Sequence, residues 1–298
     1  MRSVIRFAAV VGFGLIASVA EAAQRPHYRA VVIDGQGDHD WQATTPSLKH
    51  HLEDSQIFTV DVATTPPKGH DMRGFQPNFG AYRLVVLNYN GQPWPEATKA
   101  AFVNFVEGGG GVVVVHAAGS AFPEWPQYQQ IVGLREWGGR SEDGGQLIRY
   151  DDSGTVVDER PTTPRIHGPW GTFEIVARDH DHPINVGLPR QWLHGRDELY
   201  LRMRGSPMNV HVLSTAFATR GPNGNVPQSN DEHQPCLFTV NFGRGHVFHT
   251  TLGHDAEAMR CVGFIVTLQR GAEWAASGKV TTQPPPADFP TANRVSLR

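Results

Sequence analysis

Residues 109–117 read Gly-Gly-Gly-Val-Val-Val-Val-His-Ala, a run of four valines between glycines and a histidine. Consecutive valines are typical of a strand buried on both faces, as in a parallel sheet covered by helices. The glycines end a preceding helix that opens at Pro95, and they turn the chain into the strand. They do not form a phosphate-binding loop, because they precede a strand and no Gly-Lys-Ser/Thr follows. The strand therefore ends at His116.

The same alternation of short apolar runs and helical segments extends towards the N terminus. Strands are predicted at 29–33, 58–63 and 83–87, with a helix at 45–54 between the first two and a short helix near 125–132. A β-α-β order with nearly continuous apolar strands is typical of a doubly wound α/β sheet. We therefore predict an α/β fold whose sheet is mainly parallel.

The pattern changes from about Gly138, where residues 138–170 are polar and rich in predicted loops. Additional strands, some of them antiparallel, are predicted at 145–150, 172–177, 198–204, 211–217, 237–241 and 246–250. A long polar loop is predicted at 219–235, and a final helix, capped by Asp255, from Ala256 to about Arg270. Residues 278–298 show no periodicity, so we predict a flexible C-terminal tail.

The composition narrows the class of function. The 298-residue chain carries 26 Lys and Arg against 29 Asp and Glu, a net charge of −3. This charge excludes a strongly basic nucleic-acid binder and a polybasic membrane-surface protein, because both depend on an excess of Lys and Arg. Histidine occurs 15 times, which favours proton-transfer or metal chemistry.

The first 22 residues have the pattern of an export signal. Arg2 and Arg6 precede an apolar run at 7–19, and small residues flank a cleavage point after Ala22. The apolar run is shorter than the roughly 20 residues that a spanning helix needs. We therefore predict a cleaved signal peptide at 1–22 and a periplasmic or secreted mature protein.

The two cysteines, Cys236 and Cys261, both lie in apolar runs. In an oxidising compartment an even number of cysteines permits one disulfide. Cysteine in apolar surroundings also serves as a small buried side chain. The sequence leaves both alternatives open, and neither cysteine has the surroundings of a nucleophile.

Polar side chains follow the predicted strands at their carboxyl ends, where open parallel sheets bind ligands. Because these ends converge, we expect His39, Asn88, His116 and His254 to share one cleft. Catalytic roles are predicted for His116, His39, Glu198, His254 and Asp255. Substrate-binding roles are predicted for Asp38, Asp40, Trp41, Asn88, Asn90, Trp94 and His249.

Several of these residues, although not His254, also have a purely structural interpretation. A histidine directly after a buried strand, such as His116, is often a hydrogen-bonded core residue. Asp255 and the aspartates beside His39 fit helix caps, and Asn88 and Asn90 fit an Asx turn.

Several histidines beside carboxylates also fit a divalent metal ion. The sequence contains no HExxH motif and no cysteine cluster, and the spacing from His249 to His254 and Asp255 is not a standard zinc signature. The presence of a metal and the identity of its ligands stay open at this point.

Six short motifs occur in the order Gly37–Trp41, Asn88–Gly91, Gly109–Ala117, His182–Ile184, Asp197–Tyr200 and Leu252–His254. Together they resemble the trehalose-utilisation, or ThuA-like, domain family, over about residues 28–272. We therefore assign residues 23–277 to one ThuA-like domain. The resemblance implies a flavodoxin-like sheet related to class I glutamine amidotransferases, and a place in sugar catabolism, often beside dehydrogenases that make 3-keto-glycosides.

The resemblance also excludes one activity. Amidotransferases carry a nucleophilic cysteine on the turn after a central strand, and the matching residue here is His116. Since no cysteine lies near it in the sequence, glutaminase chemistry through a thiolate is excluded.

Two functions from different classes follow. The first is an enzyme, a lyase or hydrolase acting on an oxidised (3-keto) glycoside, with His116 and His39 as base and acid in either order. Glu198 and Asp255 would orient these histidines or hold a divalent metal. The second is a non-catalytic periplasmic sugar-binding or accessory module. In both, the partner is a small-molecule sugar or glycoside rather than a nucleic acid or, after signal cleavage, a membrane; the sequence does not determine the oligomeric state.

Overall fold

The computed structural model describes residues 27–135, 145–151, 154–158, 167–205, 207–217, 233–281 and 284–298. The predicted signal peptide lies outside the described residues. So do large parts of the polar stretch at 138–170 and of the loop at 219–235.

One half of the sheet is parallel. Its strands follow the order β2-β1-β3-β4-β13. They are β1 (Tyr28–Asp34), β2 (Phe58–Thr64), β3 (Leu84–Leu87), β4 (Gly111–Val115) and β13 (Gly245–Thr250). The valines of β4 are buried, and Val113 lies in register with Val86 of β3 and Phe248 of β13. The fold class predicted from the sequence, a doubly wound α/β sheet with a parallel core and additional antiparallel strands, is confirmed.

Helices cover the parallel half on both faces. They are α1 (Trp41–Asp54), α2 (Glu96–Glu107), α3 (Pro126–Val132) and α4 (Val262–Ser277). Leu48 of α1 and Phe264 of α4 belong to one hydrophobic cluster, while Phe102 of α2 and Ile131 of α3 belong to a second cluster. Strands β1, β3 and β4 contribute to both clusters in alternation, so they read as continuous apolar runs, whereas the edge strand β2 contains polar residues and an exposed Val62.

The other half of the sheet is antiparallel and larger than predicted. It continues from β13 in the order β12-β11-β8-β9, with smaller strands paired beside it. The strands are β5 (Leu134–Arg135), β6 (Gln146–Asp151), β7 (Gly154–Asp158), β8 (His167–Ala177), β9 (Gln191–Tyr200), β10 (Arg204–Gly205), β11 (Val210–Phe217) and β12 (His233–Phe242). Pairing with β8 draws residues 191–197 into β9, although their Gln, His, Gly and Arg are weak strand formers. The strand predicted at 198–204 therefore begins earlier and ends at Tyr200.

Two helix boundaries differ from the prediction for a local reason. The carboxylate of Asp40 accepts a hydrogen bond from the backbone N–H of Ala43, so α1 begins at Trp41 rather than at Thr45. Asp255 does cap, but it caps a 3-10 turn at Ala258–Arg260. The final helix therefore begins only at Val262.

The C-terminal residues 284–298 pack against the domain in this structure, and the flexibility of the tail stays a prediction. Phe289 is buried, and its ring lies 5.6 Å from that of Trp192. Val262 donates its backbone N–H to the carbonyl of Ser296, and Arg298 forms an ion pair with Asp288. The buried ring of Phe289 and backbone hydrogen bonds such as that to Ser296 hold this segment on the domain. Neither kind of contact leaves a periodic pattern in the sequence.

Cys236 and Cys261 are free thiols, and both are fully buried. The sequence left open a disulfide or two small buried side chains, and the structure shows the buried side chains. Among the helices of the described residues, none is long and apolar enough to cross a membrane.

Candidate active site

Four side chains from distant parts of the chain meet beyond the carboxyl ends of the parallel strands. His39 follows β1, His116 follows β4, Glu198 lies near the end of β9, and His254 follows β13. One donor atom from each lies within 4.8 Å of the other three. We call these four residues the histidine centre. The expected convergence of His39, His116 and His254 is confirmed.

His116 forms the floor of the histidine centre and is held rigidly. It is buried, and its backbone has φ +46°, a left-handed conformation that non-glycine residues rarely adopt. Its Nδ1 lies 2.6 Å from the carbonyl oxygen of Thr251. A carbonyl can only accept, so Nδ1 carries the proton and donates it. Backbone strain of this kind concentrates at functional sites.

The other ring nitrogen of His116 faces a carboxylate. Nε2 lies 3.3 Å from Oε2 of Glu198, and the two side chains are only 4% and 5% exposed. With Nδ1 protonated, a neutral His116 presents a lone pair at Nε2 to a negatively charged oxygen. A proton or a metal ion between these two atoms would turn their repulsion into attraction. The floor of the histidine centre is therefore built for a proton or a metal ion.

His39 and His254 form the upper part of the histidine centre, with ring centroids 4.3 Å apart. Burial, together with repulsion from His116 and His254, lowers the pKa of His39 to about 4. Burial and the neighbouring His116 also lower the pKa of His254. His39 is therefore neutral at pH 7, and His254 is biased towards its neutral form. A neutral imidazole offers a lone pair to a proton or to a metal.

Asp197 supports the histidine centre from below and is fully buried. Its Oδ1 accepts the backbone N–H groups of Glu198 and His254, at 2.8 and 3.1 Å. Its Oδ2 accepts the backbone N–H of Gly253 and lies 2.7 Å from Nε2 of His194. Burial opposes charge on His194, but Asp197 and the neighbouring Cys261 together outweigh it and raise the pKa of His194 to about 9. The ion pair between His194 and Asp197 lies within β9, and the backbone hydrogen bonds to Asp197 join this strand to the segment that carries His254.

The sequence analysis did not assign a role to Asp197. The available signal was its position beside Glu198 in the motif Asp197–Tyr200. An acidic pair at a strand end marks a site, but only the fold shows which carboxylate enters the site and which supports it.

Trp170 was also not assigned to the site by the sequence analysis. Its ring lies 4.3 Å from that of His254, and the residue is 42% exposed. The guanidinium of Arg196 lies over the indole at 4.9 Å. Trp170 therefore borders the opening of the histidine centre, where an aromatic face can meet a sugar ring.

The remaining predicted residues lie around the histidine centre with varied contacts. Asp255 borders it, with Oδ2 3.9 Å from Nδ1 of His254. Asp38 is exposed, Trp41 is half-buried, and Asp40 caps α1. Their substrate-binding roles stay predictions.

The two predicted asparagines differ in their surroundings. Asn88 donates to the hydroxyl oxygens of Thr44 and Thr45, at 2.9 and 3.0 Å, so its amide is used to hold α1 against β3. It was expected in the cleft beside the histidines, but no described contact joins it to the histidine centre. Asn90 is half-buried, and its backbone N–H donates to Gln36.

Two predicted substrate-binding residues are enclosed by the core. Trp94 is 2% exposed and packs among aromatic rings that include Phe102 and Phe122. A sugar can stack on Trp94 only if this cluster opens, so its burial does not favour the substrate-binding role, which stays a prediction. His249 is fully buried, with Nδ1 2.8 Å from the carbonyl of Val132, and it has no route to a ligand in the described structure. Both residues lie among apolar side chains. A single sequence does not show whether such a residue lines a cleft or is buried in the core.

Comparison with known proteins identifies the family. The family model described as ThuA, trehalose utilisation, matches residues 29–275. The chain belongs to the ThuA family. A ThuA-like protein from Parabacteroides merdae ATCC 43184 is 43% identical, with a TM-score of 0.85 over 91% of this chain and 98% of that one.

A ThuA-like protein from Bacteroides uniformis ATCC 8492 is 17% identical, with a TM-score of 0.56 over 90% of this chain and 98% of that one. At that identity the likeness concerns the fold alone. No curated protein matches the chain significantly. In this ThuA-family chain, the turn after β4 carries His116, and the two cysteines are buried elsewhere.

Proposed function

We propose that this ThuA-family chain is an exported carbohydrate-processing enzyme, periplasmic or secreted, that cleaves an oxidised (3-keto) glycoside at the histidine centre. The observation that carries the proposal is the convergence of three imidazoles and one carboxylate within 4.8 Å at the ligand-binding edge of the sheet. Membership of a trehalose-utilisation family supports a sugar as the substrate.

The reaction is an elimination across C1 and C2 of the sugar. The ketone at C3 acidifies the proton on C2, and a base removes that proton. The electron pair left on C2 forms a C1–C2 double bond as the bond between C1 and the glycosidic oxygen breaks. The leaving oxygen takes a proton, so the products are an unsaturated 3-keto sugar and an alcohol. No oxidant or reductant is consumed, and subsequent addition of water would give net hydrolysis.

The geometry favours His254 as the base. Its side chain is 23% exposed and borders Trp170, whereas the side chain of His116 is only 4% exposed. The carboxylate of Asp255 is 3.9 Å from Nδ1 of His254, where it favours the protonated ring that forms during the reaction. The same ring then returns its proton to the leaving oxygen. This moves the role of base from His116 and His39, which the sequence favoured, to the more accessible ring.

Besides a base, the reaction needs a positive charge beside the C3 oxygen, and the floor of the histidine centre can provide it. Negative charge develops on the C3 oxygen when the C2 proton leaves, and a fixed positive charge beside that oxygen lowers the barrier. His116 Nε2 and Glu198 Oε2 face each other at 3.3 Å, where a cation can lie between or beside them. A ketone oxygen placed over the floor would therefore meet that cation.

The test is incubation of the purified protein with a panel of glycosides and their 3-keto derivatives, with mass spectrometry of the released alcohol. We expect release from the 3-keto compounds and none from the parent glycosides. The variant His254→Asn should lose about 10²–10⁴-fold in rate. The control His70→Asn changes an exposed histidine and should keep full rate. Tight sugar binding without turnover would contradict the proposed enzyme and support the alternative, a non-catalytic sugar-binding module.

A further inference from the structure

We propose that the histidine centre holds one divalent transition-metal ion, bound by His39, His116 and Glu198. The proposal deepens the proposed function, since the ion would be the cation that a ketone oxygen meets. It is independent of the sugar, because the ligand set can be tested with the metal alone.

The orientation of His116 is that of a metal ligand. A histidine that binds a metal through one ring nitrogen usually donates the other N–H to a carbonyl or carboxylate, which fixes the ring and its tautomer. Nδ1 of His116 donates to the carbonyl of Thr251, and Nε2 is thereby left as a lone-pair donor directed at Glu198.

Three buried imidazole nitrogens in the histidine centre have no hydrogen-bond partner among the described residues: Nε2 of His116, Nδ1 of His39 and Nδ1 of His254. Nδ1 of His254 faces Asp255 at 3.9 Å, and the other two belong to the proposed metal ligands. An unsatisfied buried polar atom costs about 1–3 kcal/mol. A metal ion between them and Glu198 would satisfy both nitrogens and neutralise the carboxylate at once.

The donor types select the class of metal. Imidazole nitrogens with one carboxylate suit Zn²⁺, Mn²⁺, Fe²⁺ or Co²⁺, whereas Mg²⁺ and Ca²⁺ prefer sites made of oxygen atoms. Three protein ligands leave coordination positions open, as in catalytic rather than structural metal sites. Those positions would be available to a substrate oxygen or to water.

His254 is the fourth donor of the group, but it lies at the rim. Its Nε2 is 3.8 Å from Oε2 of Glu198, farther than the 3.3 Å of His116, and its other nitrogen faces Asp255. Because His254, unlike His39, already faces a second carboxylate, we assign the metal to His39, His116 and Glu198. His254 is left free to move protons beside the ion.

The supporting contacts keep the ligands in place before any ion binds. Asp197 holds the backbone of Glu198, and the buried strand β4 leads directly to His116. A site held in this way loses little freedom on binding, which favours tight association.

The experiment uses the full chain, purified without a histidine tag and treated with a chelator. Titration calorimetry with Zn²⁺, Mn²⁺ and Co²⁺ measures affinity, and the visible spectrum of bound Co²⁺ reports its ligands. We expect one ion per chain. His39→Ala and Glu198→Gln should weaken binding by more than the roughly 10–100-fold seen when only a residue supporting a ligand is lost.

The controls separate ligand loss from misfolding. Glu198→Gln keeps the shape of the side chain, so thermal melting of the metal-free variant should stay cooperative. His182→Gln changes a half-buried histidine that packs on Trp274, outside the histidine centre, and should bind metal like the unaltered chain. His254→Asn should also retain the ion.

The proposal is overturned if the unaltered chain binds none of the three ions stoichiometrically. It is equally overturned if His39→Ala and Glu198→Gln bind them as tightly as the unaltered chain. Metal binding without turnover of 3-keto-glycosides would reject only the proposed function. Full turnover by metal-free protein would reject the part of the ion in the reaction, while the binding measurements alone decide whether the site holds it.

Discussion

The imidazole of His116 donates from Nδ1 to the carbonyl oxygen of Thr251 across 2.6 Å. This bond connects the turn after β4 to the segment after β13, and it determines which nitrogen of His116 faces the histidine centre. One hydrogen bond therefore sets both the orientation and the tautomer of the residue that forms the floor.

Replacing His116 by asparagine should separate its chemical from its structural role. Asparagine adopts the left-handed conformation more readily than histidine, which offsets the loss of the bond to Thr251. We expect the free energy of unfolding to stay within about 1 kcal/mol of the unaltered chain. Turnover should fall about 10²–10³-fold, because the charge at the C3 oxygen is no longer stabilised. Denaturant unfolding and turnover are measured on the same preparation; a destabilised but fully active variant would make His116 a structural residue.

Replacing Asp197 by asparagine should destabilise the fold strongly. The change leaves a protonated His194 without its partner in a fully buried position. Removing one member of a buried ion pair costs about 3–5 kcal/mol, which denaturant unfolding will detect. The control Asp61→Asn breaks an exposed pair with Arg29 and should leave the unfolding midpoint unchanged. Equal effects of the two variants would show that Asp197 is not a support of the histidine centre.

Acid stability should depend on His249. Burial lowers the pKa of His249 to about 4, while in the unfolded chain it titrates near its ordinary value of 6.5. A lowered folded-state pKa means that the unfolded chain binds the proton first, so stability is complete above pH 6.5 and is lost as the pH falls towards 4. His249→Gln removes this contribution, which is at most about 3 kcal/mol.

Thermal melting of His249→Gln across this pH range should therefore give a flatter curve than that of the unaltered chain. His50→Gln changes an exposed histidine on α1 and serves as the control, with an unaltered curve. Parallel curves for His249→Gln and the unaltered chain would mean that His249 is not the buried group that takes up the proton.

Trp170 should contribute to sugar binding rather than to the chemical step. Its indole is exposed beside His254, so a ring of the substrate can stack on it. We expect Trp170→Ala to raise KM about 2–10-fold with little change in kcat. A change in KM of this size corresponds to the loss of one aromatic contact. Trp170→Phe should recover most of the loss. Steady-state kinetics with one 3-keto-glycoside decides this, and an unchanged KM would place the substrate elsewhere.

Much of the parallel half could be predicted, because its strands are buried on both faces. The runs at 29–33 and 112–115 contain almost only apolar residues, and they form β1 and β4 as expected. The antiparallel half was harder, since β9 includes His194, Gly195 and Arg196 and depends on pairing with β8. A strand held by its neighbours leaves little trace in local propensity.

By itself, the sequence determined the order of the strands along the chain and which polar residues stand at their ends. It therefore brought His39, His116 and His254 to one edge, because parallel strands end on the same side of a sheet. Only the tertiary structure placed Glu198 against Nε2 of His116, Asp197 beneath them, and Trp94 and His249 inside the core. Asp197 bonds to Gly253, 56 positions away, and His249 to Val132, 117 positions away, so these distances arise from packing and register that no local pattern records.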